Sequence, residues 1–420
     1  MKLHTKIFIS MFLGLILGLL IHFFDDQANT LSHYALYVKP LGVIFLNLLK
    51  MLIVPLVFST IFMSVANIGN ILSLGRLAKK TVLYYFVTTA MASILGLILV
   101  NIMQPGLHAP QLKAMLTQSM PPTLVSAQEG KTLFDILIYD TFLQVIPTNI
   151  FTSLTEGSVL QIIFFTLVFA IFVTSLGSKG KPIIDFMKAV EQAVMTMILW
   201  VMKFAPYGIF ALILVMVTQT GTEAISVMLR YMLTVTIGLF IHGFIVLPLI
   251  LWFFGKYNPF IFSKHMLSAL TTAFSTSSSA AALPVTLECV KDNAGVPEHI
   301  ADFVVPLGAT VNMDGTALYE SVAAIFIAQI VGYQLGLTDQ VIIFILATLA
   351  AVGAAAIPSA GLVTMGIVFK AVKLPLEGIG LIAGVDRPLD MMRTTVNVWG
   401  DAVGAIVVSR FEGEKLKPKL

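Results

Sequence analysis

Charge is scarce in this sequence: Asp, Glu, Lys and Arg together make up 11% of 420 residues, against 58% hydrophobic ones. A domain folded in water needs far more polar surface, so a soluble globular protein is excluded. A mean hydropathy of +0.94 points instead to several membrane spans. Cysteine is nearly absent. Cys289 stands alone, which excludes an internal disulfide or a thiolate metal cluster and leaves an inert buried thiol. Histidine pairs are missing too, and His22 and His242, each alone in an apolar run, read as packed residues. The apolar runs are continuous rather than alternating, which excludes an outer-membrane barrel. A net charge of +3 carries no sign of a nucleic-acid partner. There is no Gly-x-Ser-x-Gly elbow, no His-Glu-x-x-His and no paired-aspartate protease motif, so no enzyme is expected.

What is present is length of hydrophobic run. Stretches able to cross a bilayer occur near 7–24, 42–67, 82–103, 132–176, 183–219 and 224–254, the fourth interrupted by VIPTNIFTSLTEGS. The amino-terminal MKLHTKIFISMFLGLILGLLIHFF is too long for a signal sequence and has no small-residue cleavage site, so it reads as a first span starting in the cytoplasm. Basic residues sort by side. Lys2 and Lys6, Arg76 with Lys79 and Lys80, Lys179 and Lys181, Lys256 and Lys264, and Arg410 through Lys419 mark the cytoplasmic ends.

Beyond residue 257 the pattern changes. SALTTAFSTSSSAAALPVTLECV (268–290) and FILATLAAVGAAAIPSAGLVTMGIV (344–368) are rich in small residues and broken by a central proline, Pro284 or Pro358. Each is followed by a polar span. Paired broken segments in matching places mark the binding region of secondary transporters. The prolines and small residues are expected to turn each segment back as a re-entrant hairpin, tolerable only where backbone lines a cavity or is buried in protein.

The last polar span contains DRPLDMMRTTVNVWGD. On a helix, Asp386, Asp390, Arg393, Thr394, Asn397 and Asp401 fall within a stripe about 100° wide. A charge at mid-membrane costs roughly 2.5–3.5 kcal/mol, so the stripe must face protein, partners or water. Asp314, Glu320, Asp386, Asp390 and Asp401 stand as five acids against Arg393. An excess of buried negative charge calls for protons or cations, and carboxylate, carbonyl and hydroxyl oxygens suit a hard cation. Arg393 suits a carboxylate gripped by two parallel hydrogen bonds, or a standing salt bridge to Asp386 or Asp390. An aspartate beside it suits an ammonium group. Together with half-helix amino ends for a second carboxylate, these describe an acidic amino acid.

The motifs STSSSAAALP, NMDGTALYE, AAAIPSAGLVTMGIV and DRPLDMMRTTVNVWGD resemble those of the dicarboxylate/amino acid:cation symporter family, which includes glutamate and aspartate transporters, over nearly the whole chain. The resemblance implies an all-α polytopic membrane protein with eight transmembrane helices, two re-entrant hairpins and inverted repeats, working as an elevator in a homotrimer. It implies a scaffold of residues 1–75 (spans 1 and 2) and 105–222 (spans 4 and 5, trimerisation). The transport domain would be 76–104 (span 3) and 223–420 (span 6, hairpin 1, span 7, hairpin 2, span 8).

Carried over, Arg393 would hold the substrate side-chain carboxylate and Asp390 its amino group, with Asp386 orienting Arg393. Thr394, Asn397 and Thr316 would add polar contacts. Ser277, Ser278 and Ser279 on the first hairpin, and Ile357, Pro358 and Gly361 on the second, would close the pocket. Sodium would take three sites: Gly308, Asn312, Asn397 and Asp401; Tyr85, Thr88, Thr89, Asn312 and Asp314; and Thr310 with Ala351 and Val352. Glu320 is the candidate proton carrier. No cofactor is implied beyond sodium as the coupling ion.

The serine run at Ser277 resembles the animal type, and Asp401 with a hairpin free of carboxylates favours sodium over protons. The short outer loop at 105–131 favours a bacterial inner membrane. Three alternatives stay open: a dicarboxylate carrier that ignores the amine, a neutral amino acid carrier, and a passive ion channel, which would need no arginine clamp.

Overall fold

A computed structural model describes residues 3–25, 35–72, 75–117, 146–333, 335–352, 359–416 and 418. Every regular element among these residues is helical. The first half holds α1 (Leu3–Phe24), α2 (Lys39–Leu72), α3 (Arg76–Met103), the short α4 (Pro110–Thr117) and α5 (Ile150–Glu156), then α6 (Val159–Ser175) and α7 (Lys181–Thr220). Next comes α8 (Thr222–Gly255), which carries π-helical turns at His242–Val246 and Leu251–Gly255. Five of the six expected apolar runs fall inside α1, α2, α3, α7 and α8. Of the fourth, the described part is α5 and α6, split at Gly157; residues 132–145 lie outside the described residues, as does 118–131 of the outer loop.

The second half contains α9 (Pro259–His265), α10 (Leu267–Thr276), α11 (Ser279–Glu288), α12 (Glu298–Val311), α13 (Asp314–Val331), α14 (Leu337–Val352), α15 (Ala360–Ala371), α16 (Gly378–Ala383) and α17 (Asp386–Glu412). α10 packs on α11 and α14 on α15, giving two helical hairpins.

The bend of the first is not where proline predicts. In the first hairpin the chain reverses at Ser277, in the left-handed region (φ 51°), and at the extended Ser278, whose Oγ accepts the Ala281 N–H at 3.2 Å. Pro284 lies inside α11. There it deletes one backbone bond, which a helix survives, whereas a left-handed residue followed by an N-cap ends one helix and starts another. In the second hairpin Ser359 is likewise left-handed (φ 60°) at the start of α15, and Pro358 and Ile357 lie outside the described residues.

The helices are arranged inside-out relative to a water-soluble protein. The most apolar ones lie outermost: only 17% of the best window of α1 is buried, and large side chains such as Phe12, Trp200, Phe244 and Trp252 stand exposed. The best window of the polar stretch α12–α13 is 94% buried, and α17 is buried from Leu389 to Ser409 apart from Met391, Met392 and Thr395. Lipid rewards this arrangement and water penalises it. α1, α2, α6 and α7 form one packed group, with α1 and α2 on α7 and α6 on α2. α3, α10, α12 and α13 surround α17, while α15 and α16 lean on α2 and α7.

Polar contacts mark the two ends. At one, Lys80 and Arg76 pair with Glu412 at 2.8 and 3.5 Å, and Arg410 Nε donates to the Gly255 carbonyl at 3.1 Å. The base of the first hairpin, where Asn293 bonds the His265 carbonyl and His265 meets Tyr257, belongs to this end. At the other end Arg230 donates to the Leu107 carbonyl, and Asn101 bonds Gln340 at the base of the second hairpin. Arg76, Lys80 and Arg410, assigned to the cytoplasm, therefore share one end, and the two hairpins enter from opposite ends toward α17.

Candidate functional site

Two clusters lie along α17. The first centres on Arg393, 1% exposed. Its Nη2 donates to Asp390 Oδ1 at 2.6 Å and to Asp386 Oδ1 at 3.2 Å. The standing salt bridge is thus present, and Asp386 lies within hydrogen-bond reach of the guanidinium. Tyr319 from α13 fixes the other side. Its hydroxyl donates to Asp386 Oδ1 at 2.8 Å and its ring lies 3.9 Å from the guanidinium carbon, where the negative ring face favours a cation. Arg393 Nε and Nη1 are buried with no partner among the described residues. Unsatisfied buried donors on a guanidinium are costly, and they make an anion receptor.

The second hairpin closes directly over this group. A Cβ on Gly361 would run into Arg393 Nη1 and lie 3.1 Å from Cζ, so only glycine lets α15 approach this closely. The Ser359 N–H donates to Asp390 Oδ2 at 2.9 Å, tying the hairpin to the carboxylate expected to take an amine. Ser277, at the first hairpin's bend, is buried with its hydroxyl unpartnered, and Ser279 is buried beside it in sequence. Thr394 and Thr316 are buried, and Thr316 Oγ1 reaches only the Met313 sulfur at 3.8 Å.

The second cluster lies between α3, α12, α13 and the middle of α17. α12 ends at Val311, and Asn312 and Met313 are non-helical before α13 begins. The Gly315 N–H donates to Asn397 Oδ1 at 2.8 Å. It therefore does not reach back to the Val311 carbonyl, and the break leaves oxygens on offer as cation ligands. Around it, Thr88 Oγ1 bonds Asn312 Oδ1 at 3.3 Å, Thr89 donates to Asp314 Oδ1 at 2.8 Å, and Asn312 Nδ2 donates to Asp401 Oδ1 at 3.0 Å. The Tyr85 hydroxyl donates to the Val304 carbonyl at 2.6 Å. A Cβ on Gly308 would lie 2.5 Å from that hydroxyl and against Asp401 Oδ1.

The first two expected sodium groups are thus brought into one connected set of hydroxyl, amide and carboxylate groups, the chemistry a hard cation takes. The third is less assembled. Thr310 is exposed and bonds back to the Leu307 carbonyl, while Ala351 packs against Met313 and Ala317 and Val352 ends α14. Among the described residues no three His, Cys, Asp or Glu side chains gather as a metal centre. Glu320 is fully buried. Thr364 of α15 donates to its Oε1, and Oε2 has no partner.

Two expectations need correction. His242 is not a merely packed residue, because its Nε2 lies 2.9 Å from Asp314 Oδ2 with both side chains fully buried. Its partner is 72 positions away, so nothing local in the sequence signals the contact. His22 does pack, against the Thr218 carbonyl. A balance of five acids against Arg393 alone is also too negative. Arg387 is 7% exposed, and its Nη1 lies 3.3 Å from Asp390 Oδ2. Helical geometry places it about 20° beyond the stripe's edge at Thr394, a signal that could have found it.

The sequence model of the sodium:dicarboxylate symporter family matches residues 3–411. The chain belongs to that family. It is 36% identical over 411 residues to the proton/sodium-glutamate symport protein of Geobacillus stearothermophilus, covering 97% of this chain and 94% of that one. It is 36% identical to excitatory amino acid transporter 3 of Homo sapiens, covering 96% and 84%, and 34% identical to the proton/glutamate-aspartate symporter of Escherichia coli (strain K12), covering 98% and 93%. The chain is therefore a multi-pass membrane protein of a transporter family, and the buried stripe on α17 lies within the matched region.

Proposed function

We propose that this symporter carries acidic amino acids, L-glutamate and L-aspartate, into the cell by secondary active transport driven by sodium. The observation that carries the reading is the Arg393–Asp390 pair beside the oxygen-rich break between α12 and α13. Arg393 holds donors for a carboxylate, and Asp390 holds an acceptor for an ammonium group. The substrate's side-chain carboxylate replaces Asp390 on Arg393, and its amine replaces Arg393 on Asp390. One ion pair is thereby exchanged for two inside a low-dielectric site. Sodium ions enter at Gly308, Asn312, Asn397 and Asp401, at Tyr85, Thr88, Thr89 and Asp314, and at Thr310 with the Ala351 and Val352 carbonyls. Their charge offsets the buried carboxylates, which is why uptake requires them. Glu320 is the proton carrier, since a fully buried carboxyl bonded to Thr364 of the second hairpin is placed to link protonation with that hairpin.

The same reading divides the chain into a scaffold (1–75 and 105–222) and a transport domain (76–104 and 223–420). Eight spans and two hairpins assemble as homotrimers in a bacterial inner membrane, the transport domain moving as an elevator. The packed group α1, α2, α6 and α7 and the separate packing around α17 support that division.

A dicarboxylate lacking the amine would also satisfy Arg393, and Asp390 argues against it. The test is uptake of radiolabelled aspartate, glutamate and succinate into liposomes holding purified protein, with sodium, proton and potassium gradients imposed separately. Sodium-dependent accumulation of the amino acids is expected. Succinate uptake alone, retained in Asp390→Ala, replaces this reading with the dicarboxylate one. Downhill ion flux without accumulation of any of the three replaces it with a channel.

A further inference from the structure

Asp390 faces a difficulty when substrate arrives. In the structure its Oδ1 is held by Arg393 at 2.6 Å, and its Oδ2 by the Ser359 N–H at 2.9 Å and Arg387 Nη1 at 3.3 Å. A carboxylate arriving at Arg393 takes the strongest of these contacts. The Ser359 N–H belongs to the second hairpin, so Asp390 keeps it only while that hairpin stays in place. A carboxylate left alone in the protein interior is expensive, and breaking one side of a buried pair costs about 3–5 kcal/mol. Arg387 is the partner that stays. It sits one turn earlier on the same helix, so no motion of a hairpin separates it from Asp390. Its side chain is 8% exposed, so it is not a surface group snorkelling to water. Its contact is single-pronged, on the oxygen that Arg393 does not use, which leaves the Oδ1 edge open to an ammonium group.

We infer that Arg387 is a specificity-determining residue. It supplies the counter-charge that keeps Asp390 turned into the pocket once Arg393 has passed to the substrate, and so makes the site select a carboxylate with an amine over a plain dicarboxylate. This rests on the acidic amino acid reading above. The charge balance supports it. Asp386 and Asp390 face Arg393 and Arg387, two acids against two bases, and Arg387 reaches the Asp390 oxygen that Arg393 leaves free.

The test compares unmodified protein, Arg387→Gln and Arg387→Lys in proteoliposomes. It measures the KM and kcat of L-aspartate and its inhibition by succinate, which keeps both carboxylates and lacks the amine. Arg387→Gln is expected to raise the aspartate KM by about tenfold or more, the loss of one charge-assisted contact, with a smaller change in kcat. Discrimination between aspartate and succinate should fall by a similar factor. Arg387→Lys, which keeps the charge, should hold discrimination within about threefold. Equal weakening of both ligands in Arg387→Gln, or no change in either, overturns the inference and leaves the function intact. Should Arg387→Gln fail to fold, Arg387→Lys decides: discrimination lost with the charge retained overturns it. Unmodified protein that takes up neither glutamate nor aspartate fails the functional reading first, and this one with it.

Discussion

The salt bridge between Arg393 and Asp390 is both a stabilising contact and an obstacle, and its strength decides what the protein can carry. A buried guanidinium with two unpartnered N–H groups cannot be left so once the hairpin opens, and the ligand that relieves it is an anion. Arg393→Cys removes the receptor and leaves Asp390 to Arg387. Uptake of glutamate and aspartate should fall by about a hundredfold or more, the scale of one buried charge-assisted pair, while the yield of folded protein is retained. Neutral amino acids become the better competitors in binding assays. Glutamate uptake near the unmodified level would remove the clamp from the mechanism. Glu320 is a separate matter, since its only bonded partner among the described residues is Thr364. Glu320→Gln keeps an acceptor for that hydroxyl while giving up the exchangeable proton, so uptake should lose its response to an imposed pH gradient and keep its response to sodium. An undiminished pH response in the variant excludes Glu320 as carrier.

At the level of elements, the sequence speaks clearly wherever a period is involved and poorly wherever a single residue turns the chain. The stripe from Asp386 to Asp401 follows from helical spacing alone, and α17 runs unbroken through it. The apolar runs likewise become α1, α2, α3, α7 and α8. The break at Asn312–Met313 and the reversal at Ser277 have no period, and serine in a left-handed conformation leaves no compositional mark. Proline, the stronger local signal, points to Pro284 and away from the true bend at Ser277. His242 and Tyr319 owe their roles to contacts made across the fold, which one chain segment cannot reveal. The bend yields a test. Ser277→Gly relieves the left-handed backbone and should preserve uptake, whereas the branched Ser277→Val should cost about 1–3 kcal/mol of stability and lose uptake. Pro284→Ala restores a backbone bond inside α11 and should keep transport and raise the thermal midpoint. If Pro284→Ala abolished uptake while Ser277→Val did not, the proline would be the functional bend after all.

Across the whole molecule, an apolar shell surrounds a polar centre, and transport requires that the centre reach both sides without exposing its carboxylates to lipid. On the elevator reading proposed above, the packed group around α17 moves past α2 and α7 while the charged stripe stays enclosed by α3, α10, α12 and α13. Such movement must break contacts between the two groups. Lys50 on α2 pairs with Glu377 just ahead of α16 at 2.8 Å, both side chains partly exposed. As a surface pair it contributes little to stability, about 0–1 kcal/mol, so it can open and close at each cycle. A covalent tie at the same place cannot. In a Cys289→Ala background, Lys50→Cys with Glu377→Cys, bridged by a short reductant-cleavable bis-thiosulfonate, should stop uptake. Sodium-dependent aspartate binding in detergent should be unaffected, because the bridge touches neither cluster. Reductant should restore uptake to the level of the unbridged double variant, and each single cysteine should be insensitive to the reagent. Full uptake by bridged protein would mean that α2 and the segment before α16 travel together, and the division between scaffold and moving domain would have to be redrawn with α2 on the moving side.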